Sequence, residues 1–218
     1  GLELGARTDG HVSVITMGPD QAREVLLEAV CMGAERGYLI SDRCFAGADV
    51  CATSHTLSQG IRQSGTYDLI LCGKQTTDGD TAQVGAETAE FLGIAHGANI
   101  LEVLETGDTF VTVRMNLENK IQTQKMELPC LLTVDKDVNT PRLPSYKRRI
   151  GMDPGCIKVM GLDDLEDRDS GHYGLKGSPT QVERIFPPDK KTDKEIMEGT
   201  GRELAQAMAA VLRKHKFI

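Results

Sequence analysis

The chain of 218 residues carries 25 Lys and Arg against 32 Asp and Glu, a formal net charge of −7 at pH 7. This length suffices for one sizeable α/β domain plus an extension, but it is short for two independent domains. The acidic balance, the absence of Trp and an aromatic content of 4% provide neither a basic surface nor stacking platforms, which argues against a nucleic-acid partner. No apolar run approaches the roughly 20 residues that span a bilayer. We therefore expect no membrane insertion and a cytoplasmic location.

Strand and helix patterns alternate along the first part of the chain. The expected strands are 11–17, 39–41 and 69–72, and the expected helices are 21–36, closed by Gly37, and 47–64. Such alternation predicts parallel βαβ units in an α/β fold. Residues 1–8 have the spacing of the end of a helix, so we expect the chain to begin inside an element.

The spacing of the apolar residues changes from a helical to an alternating pattern in the second part of the chain. Apolar residues alternate with polar ones over 111–117, and a turn at 118–120 leads into 121–128, which predicts an antiparallel hairpin that extends the sheet. The remaining expected elements are a central strand at 130–134, a strand at 157–160, an acidic solvated linker at 163–169, an extended arm at 172–188 and a helix at 193–218. The arm and last helix need another surface, either a partner subunit or their own domain.

The stretch from Tyr67 to Gly93 organises the chain as strand, polar loop and helix. Asp80 stands where an N-cap belongs, with Gln83 three residues on, so the spacing predicts that the helix starts at Thr81. Unpaired amides at the start of a helix that follows a buried strand form a ready phosphate site. Spacing alone leaves two interpretations open, a phosphate site and a capped turn without a ligand.

Residues 73–85, GKQTTDGDTAQVG, closely resemble the nucleotide loop of the β-subunit of electron-transfer flavoprotein. Two further stretches agree with that family in the same order, namely ELPCLLTV at 127–134 with NTPR at 139–142, and YGLKGSPTQV at 173–182. The resemblance covers nearly the whole chain. It implies a Rossmann-like, mostly parallel sheet of the adenine-nucleotide-binding type in residues 1–165. In that family a first strand and helix precede the strand expected at 11–17, so the resemblance implies that both are missing from the chain. It also implies that residues 166–218 are an arm and helix that pack on a partner subunit.

The resemblance also implies a cofactor. In that family the loop holds the phosphates of AMP or, in electron-bifurcating members, of a second FAD, and the form GDTAQVG looks like the bifurcating type. FAD is therefore expected, with AMP as the alternative. The implied cofactor-binding residues are Cys72, Gly73, Gln75, Asp78, Gly79, Asp80, Thr81, Ala82, Gln83, Val84 and Gly85. The implied partners are an α-subunit, NADH as hydride donor, ferredoxin or flavodoxin, and an acyl-CoA dehydrogenase.

A basic, loop-rich segment follows the central strand at residues 139–149. Its composition fits a solvated turn, and it also fits docking to an acidic partner, because Tyr and Arg are favoured at interface centres. The family resemblance implies a recognition loop that engages the dehydrogenase. The implied docking residues are Arg142, Leu143, Tyr146, Lys147, Arg148 and Arg149.

Residues typical of chemical catalysis do not form a recognisable pattern. His55 and His96 have no nucleophile or carboxylate at a catalytic spacing, and the six cysteines include no C-x-x-C pair, which favours buried free thiols over metal ligands or disulfides. This suits a protein whose chemistry belongs to its cofactor. Three functions stay open: a bifurcating β-subunit with FAD, a β-subunit with a structural AMP, and a stand-alone adenine-nucleotide-binding or ATP-hydrolysing protein. The lack of a Walker motif weighs against the third.

Overall fold

A computed structural model of the chain describes residues 1–187 and 196–218, in two units, Gly1–Gln181 and Val182–Ile218. The helices are α1 (Leu2–Thr8), α2 (Arg23–Met32), α3 (Val50–Ser64), α4 (Val84–Leu92), α5 (Tyr146–Ile150), α6 (Gly174–Gly177) and α7 (Gly201–Lys214). The strands are β1 (Ser13–Met17), β2 (Arg36–Ile40), β3 (Leu69–Gly73), β4 (Ala95–Thr106), β5 (Phe110–Asn116), β6 (Ile121–Glu127), β7 (Cys130–Val134) and β8 (Ile157–Met160). None of the helices among the described residues is long and apolar enough to cross a bilayer.

The strands of the first unit form two sheets, ordered β1-β2-β8 and β3-β7-β4-β5-β6. Pairing is parallel throughout the first sheet and on both sides of β7, whereas β4, β5 and β6 pair antiparallel. The α/β class, the mostly parallel pairing and the hairpin are thus confirmed. Strand β7 is central, as its apolar sequence predicts, and Cys130, Leu131 and Leu132 are 0% exposed.

The two sheets end at strands β1 and β3, which both line one cleft of about 1100 Å³. All five residues of β1 and the first four of β3 are only half-buried, although four of the five residues in each of β2 and β7 are buried. An edge strand leaves backbone groups without partners on one side. The cleft is therefore an interruption between two sets of parallel strands.

The helix predicted at 21–36 ends earlier than expected. Helix α2 stops at Met32, and Gly33 follows it with a φ of 133°, so residues up to Arg36 are not helical as expected. Gly37 does not close the helix but lies inside strand β2. A Cβ at Gly37 would come within 3.2 Å of Leu26, so glycine serves the close packing of helix on strand. The sequence pattern predicts a helix cap at Gly37, whereas this glycine serves helix–strand packing.

The acidic segment 163–169 is not the solvated linker that its composition predicts. Leu165 is 1% exposed and belongs to a core cluster with Tyr173. Asp167 accepts hydrogen bonds from the rings of His55 and His172, at 3.2 and 2.7 Å. One apolar side chain and one bridging carboxylate thus fasten the segment to α3.

The second unit contains α7, which begins at Gly201 and not near residue 193 as expected. Residues 193–195 of that prediction lie outside the described residues. Thr200 and Glu203 form a capping box, which stops the helix from extending further toward the N-terminus. The apolar residues Val182, Ile185 and Phe186 are 79%, 89% and 67% exposed.

Candidate nucleotide-binding edge of the sheet

The candidate site lies where β3 and β7 end side by side. Gly73 and Val134 are paired at the last position of the two parallel strands. Just beyond them, the Lys74 N–H donates to the Val134 carbonyl at 2.9 Å, and Lys74 Nζ lies 3.7 Å from Asp135 Oδ2. The predicted nucleotide loop and the basic segment therefore leave the sheet at the same edge. Ligands of open α/β sheets bind in crevices at this carboxyl edge.

The loop itself departs from the predicted geometry. Asp80 and Ala82 have left-handed backbones, with φ of 51° and 55°, so the helix starts at Val84. The predicted start at Thr81 and the predicted N-cap at Asp80 are wrong, because a left-handed residue cannot continue a right-handed helix. Instead, the Asp80 carboxylate accepts a hydrogen bond from Gln75 Nε2 at 2.6 Å.

Among the residues that the structure describes, no side chain caps the start of α4. Gln83 occupies the N-cap position and makes no capping hydrogen bond. In contrast, Asp49 caps α3 and Ser145 caps α5. Helix geometry leaves the amides of the first turn, from Val84 onward, without partners inside the helix. These amides and the helix macrodipole are suited to an anion at this point.

The two loop carboxylates accept hydrogen bonds from residues of the loop itself. Asp80 bonds Gln75, and the Thr76 hydroxyl together with the Gly79 amide lowers the pKa of Asp78. Both side chains are exposed. Their negative charge is therefore held by local donors, which reduces the conflict with a phosphate at the helix start.

The remaining site residues differ in exposure. The exposed members are Gly73, Gln75, Asp78, Gly79, Asp80, Thr81, Ala82 and Gln83, whereas Cys72 and Val84 are half-buried and Gly85 is buried. Burial raises the pKa of the Cys72 thiol to about 11, so the thiol is neutral at physiological pH. A Cβ at Gly73 would meet no atom within 4 Å, and one at Gly79 would meet only Thr76 Oγ1, at 3.6 Å. This part of the loop therefore has open space in front of it.

The basic segment forms an exposed apolar and cationic patch. Leu143, Tyr146 and Ile150 are 88%, 78% and 71% exposed. Lys147, Arg148 and Arg149 lie on the same single-turn helix, and within the described chain none of them forms an ion pair. We call this group, with Arg142, the docking patch.

Hydrogen bonds hold the segment of the docking patch against helices α1 and α2. Ser145 N–H donates to the Cys31 carbonyl at the end of α2, at 2.9 Å. Asn139 Nδ2 donates to Glu3 of α1 at 2.8 Å. Arg142 differs from the other predicted docking residues, because its guanidinium lies over Gly33. The patch thus has a fixed base with an exposed tip.

The histidines without an assigned role have structural surroundings. The His96 ring is half-buried with Nε2 unpartnered, and burial lowers its pKa. His55 packs against Phe91 and Tyr173 and bonds Asp167. The His55, Asp167 and His172 contacts were missed by sequence reasoning, since 112 residues separate His55 from Asp167 and no motif joins them.

Comparison with known proteins points to one family. The family model described as electron transfer flavoprotein domain matches residues 1–160. Electron transfer flavoprotein subunit beta from Clostridium acetobutylicum is 39% identical over 217 residues, covering 100% of this chain and 83% of the relative. Caffeyl-CoA reductase-Etf complex subunit CarD from Acetobacterium woodii is 38% identical over 209 residues, 95% of this chain and 79% of the relative. Acryloyl-CoA reductase electron transfer subunit gamma from Anaerotignum propionicum is 36% identical over 222 residues, which cover 98% of this chain and 82% of the relative.

Proposed function

The chain belongs to the electron transfer flavoprotein family as a β-subunit, and we propose that it binds FAD at the carboxyl edge of β3 and β7. The observation that carries this proposal is the uncapped start of α4 behind an exposed loop. An uncapped helix start at a strand edge is a favourable environment for a pyrophosphate. We place the phosphates against the amides of Val84 and Gly85.

The left-handed residues support this placement. Asp80 and Ala82 have positive φ angles immediately before α4, so the loop ends in two left-handed residues, four and two positions before Val84. Left-handed backbone at a non-glycine residue costs roughly 1–3 kcal/mol and is concentrated at ligand sites, where surrounding contacts enforce it. Donors within the loop pair with the Asp78 and Asp80 carboxylates, which reduces their repulsion of a phosphate. The free energy of pairing between a bound phosphate and the amides of Val84 and Gly85 would offset part of the cost of the left-handed residues.

FAD is favoured over AMP by the loop sequence, since GDTAQVG is similar to the bifurcating members of the family. When bound, a flavin accepts a hydride and releases electrons singly, which is chemistry that no residue of this loop supplies. The chain contributes a cradle for the phosphates and a rigid sheet edge. AMP in a purely structural role is the second candidate, because the phosphate contacts of the two nucleotides would be the same.

The proposed cycle places this chain in a cytoplasmic heterodimer with an α-subunit. NADH would deliver electrons to the FAD, and one electron would pass to ferredoxin or flavodoxin. The other would reach an acyl-CoA dehydrogenase. The names of two relatives refer to reductases of caffeyl-CoA and acryloyl-CoA, which supports a partner of this class. The docking patch supplies the surface, because its exposed apolar side chains lie among cations that have no ion-pair partner in the described part of the chain, which suits an acidic protein.

The test is a cofactor count on this chain purified with its α-subunit. The proposal expects two flavins per heterodimer and reduction by NADH. One flavin together with one AMP would move the structural AMP ahead. The absence of any adenine nucleotide from a folded heterodimer would contradict both.

A further inference from the structure

Asp49, at the start of α3, holds a segment that lies 131 residues later in the chain. Its Oδ2 accepts the N–H and the hydroxyl of Thr180, at 2.9 and 2.7 Å. Its Oδ1 accepts the Ala52 N–H at 3.0 Å and thereby caps the helix. The N–H of Asp49 in turn donates to Ser178 Oγ at 2.8 Å. One carboxylate thus serves both the helix and the returning chain.

The Asp49 carboxyl is charged at neutral pH. Burial raises its pKa, but the hydrogen bonds from Thr180 and from the Ala52 amide outweigh burial, so the pKa is lowered. Hydrogen bonds to a charged acceptor are about twice as strong as those between neutral groups. The negative charge also lies at the positive end of the α3 dipole.

Backbone packing around the anchor is equally close. Gly174 has a φ of 54°, and a Cβ there would come within 2.1 Å of the Cys44 carbonyl oxygen. Leu175 N–H donates to the Ala46 carbonyl at 3.0 Å, in the loop that leads to α3. The second unit starts at Val182, two residues after Thr180. Asp49 therefore fixes the point from which the C-terminal arm begins.

The same helix start supports the nucleotide loop. Ser54, which is 0% exposed, lies on the next turn of α3 after Asp49. Its hydroxyl is within hydrogen-bond distance of the Val50 carbonyl, at 2.8 Å, and of the Val84 carbonyl, at 3.3 Å. Val84 is the first residue of α4, where the loop ends. The start of α3 thus contacts Thr180, just before the C-terminal arm, through Asp49. It also contacts Val84, beside the proposed phosphate site, through Ser54.

We propose that Asp49 is a positioning residue that couples the root of the C-terminal arm to the nucleotide loop. While Asp49 holds Thr180, the first turns of α3 keep Val84 and the free amides of α4 in place for an adenine nucleotide. This inference rests on the proposed function. Because coupling between two sites is reciprocal, a nucleotide in the loop stabilises the Asp49–Thr180 contact by the same factor.

The test compares Thr180→Val, which removes one bond to Asp49, with Thr180→Ser, which keeps it. In the heterodimer freed of nucleotide, the Kd for FAD and for AMP is measured by calorimetry, and the arm is probed by trypsin cleavage after Arg184. We expect Thr180→Val to weaken nucleotide binding about fivefold, at the low end of coupling between linked sites. Saturating nucleotide should slow arm cleavage in the unaltered chain and in Thr180→Ser, and much less in Thr180→Val.

Thr200→Val is the matched control, because the Thr200 hydroxyl bonds Glu203 within the capping box of α7 at 2.8 Å. It should leave the nucleotide Kd unchanged. If Thr180→Val and Asp49→Asn accelerate arm cleavage but bind nucleotide with the unaltered Kd, the anchor is local and the inference is wrong. Failure of the unaltered chain to bind FAD or AMP would instead overturn the proposed function, and the inference with it.

Discussion

Gly85 and Thr133 are in such close contact that a Cβ on Gly85 would lie 2.3 Å from Thr133 Cγ2. Thr133 cannot readily retreat, since it is 4% exposed and its hydroxyl accepts the Asn99 N–H at 3.2 Å. Helix α4 therefore rests directly on strand β7. Glycine at position 85 is required by helix packing, whatever the loop binds.

We predict that Gly85→Ala destabilises the fold by about 1–3 kcal/mol, because the added methyl overpacks the contact with Thr133. Urea unfolding of the variant measures this loss. Gly79→Ala should unfold like the unaltered chain, since its Cβ would meet only Thr76 Oγ1 at 3.6 Å. Equal stability of the Gly85→Ala variant would contradict the close packing.

Gly73→Ala and Gly79→Ala are steric probes of the ligand, since the chain has space for both methyl groups. If the phosphates approach this side of the loop, each variant should lose at least half of its nucleotide after gel filtration while remaining folded. Nucleotide content is measured with the flavin of the α-subunit counted separately. Full retention by both variants would place the phosphates elsewhere.

Ala82→Gly should stabilise the chain by about 1 kcal/mol, because Ala82 has a φ of 55° and the left-handed region penalises a Cβ. Glycine also raises the conformational entropy of the unfolded chain, which reduces this gain. Ala86→Gly, in the first turn of α4, is the control and should lower the free energy of unfolding by roughly 0.5–1 kcal/mol. A loss of stability in both variants would mean that the loop enforces no strain at Ala82.

The contact of His172 with Asp167 should make the stabilisation of segment 163–169 depend on pH. The hydrogen bond and the charge of Asp167 raise the pKa of His172 above 6.5. A raised folded pKa gives stabilisation that is complete below the unfolded pKa and disappears as pH rises through the folded value. We therefore expect the His172 contribution to be full below about pH 6.5 and to decline above it.

The measurement is an NMR titration of the His172 ring in the unaltered chain and in Asp167→Asn. Removal of the carboxylate charge should move the His172 pKa down toward its ordinary value of 6.5. The pKa of Asp167 is lowered in the folded chain, although burial raises it, because bonds from the Asp169 amide and His172 outweigh burial. Its contribution is present above its unfolded pKa, near 3.8, and is lost as pH falls through the folded value. An unchanged His172 titration in Asp167→Asn would show that the contact does not form in solution.

If the proposed acyl-CoA dehydrogenase binds the docking patch, Tyr146→Ala should slow its reduction about tenfold while flavin content stays normal. Tyr146 is 78% exposed in the docking patch. Truncation of an aromatic hot-spot residue costs about 2 kcal/mol, and a tenfold loss corresponds to ~1.4 kcal/mol. Ile121→Ala is the control, since Ile121 is an exposed apolar residue of the hairpin, at 64%. Loss of flavin with unchanged dehydrogenase reduction would contradict the docking role.

Local pattern was sufficient for much of the architecture. The apolar run Cys130–Val134 indicates a central strand because both of its faces are buried, and the alternation over 111–117 indicates a half-buried hairpin strand. The strand-loop-helix unit at 69–93 is likewise readable, because its hydrophobic period changes from strand to helix across a glycine-rich turn. The family resemblance in residues 73–85 was confirmed by relatives that span the chain. These features depend on residues that are neighbours in sequence.

Contacts between distant residues were decided by tertiary structure alone. The spacing of Asp80 and Gln83 fits a cap, yet the tertiary arrangement places Asp80 in left-handed backbone and starts α4 at Val84. Likewise, the bonds from Asp49 to Thr180 join residues 131 positions apart, and a surface-like acidic run becomes fixed through Asp167. A capping pattern and a charge pattern describe only what a segment can do by itself. Which partner each carboxylate finds is determined when packing brings the segments together, because burial then strongly favours the pairing of polar groups.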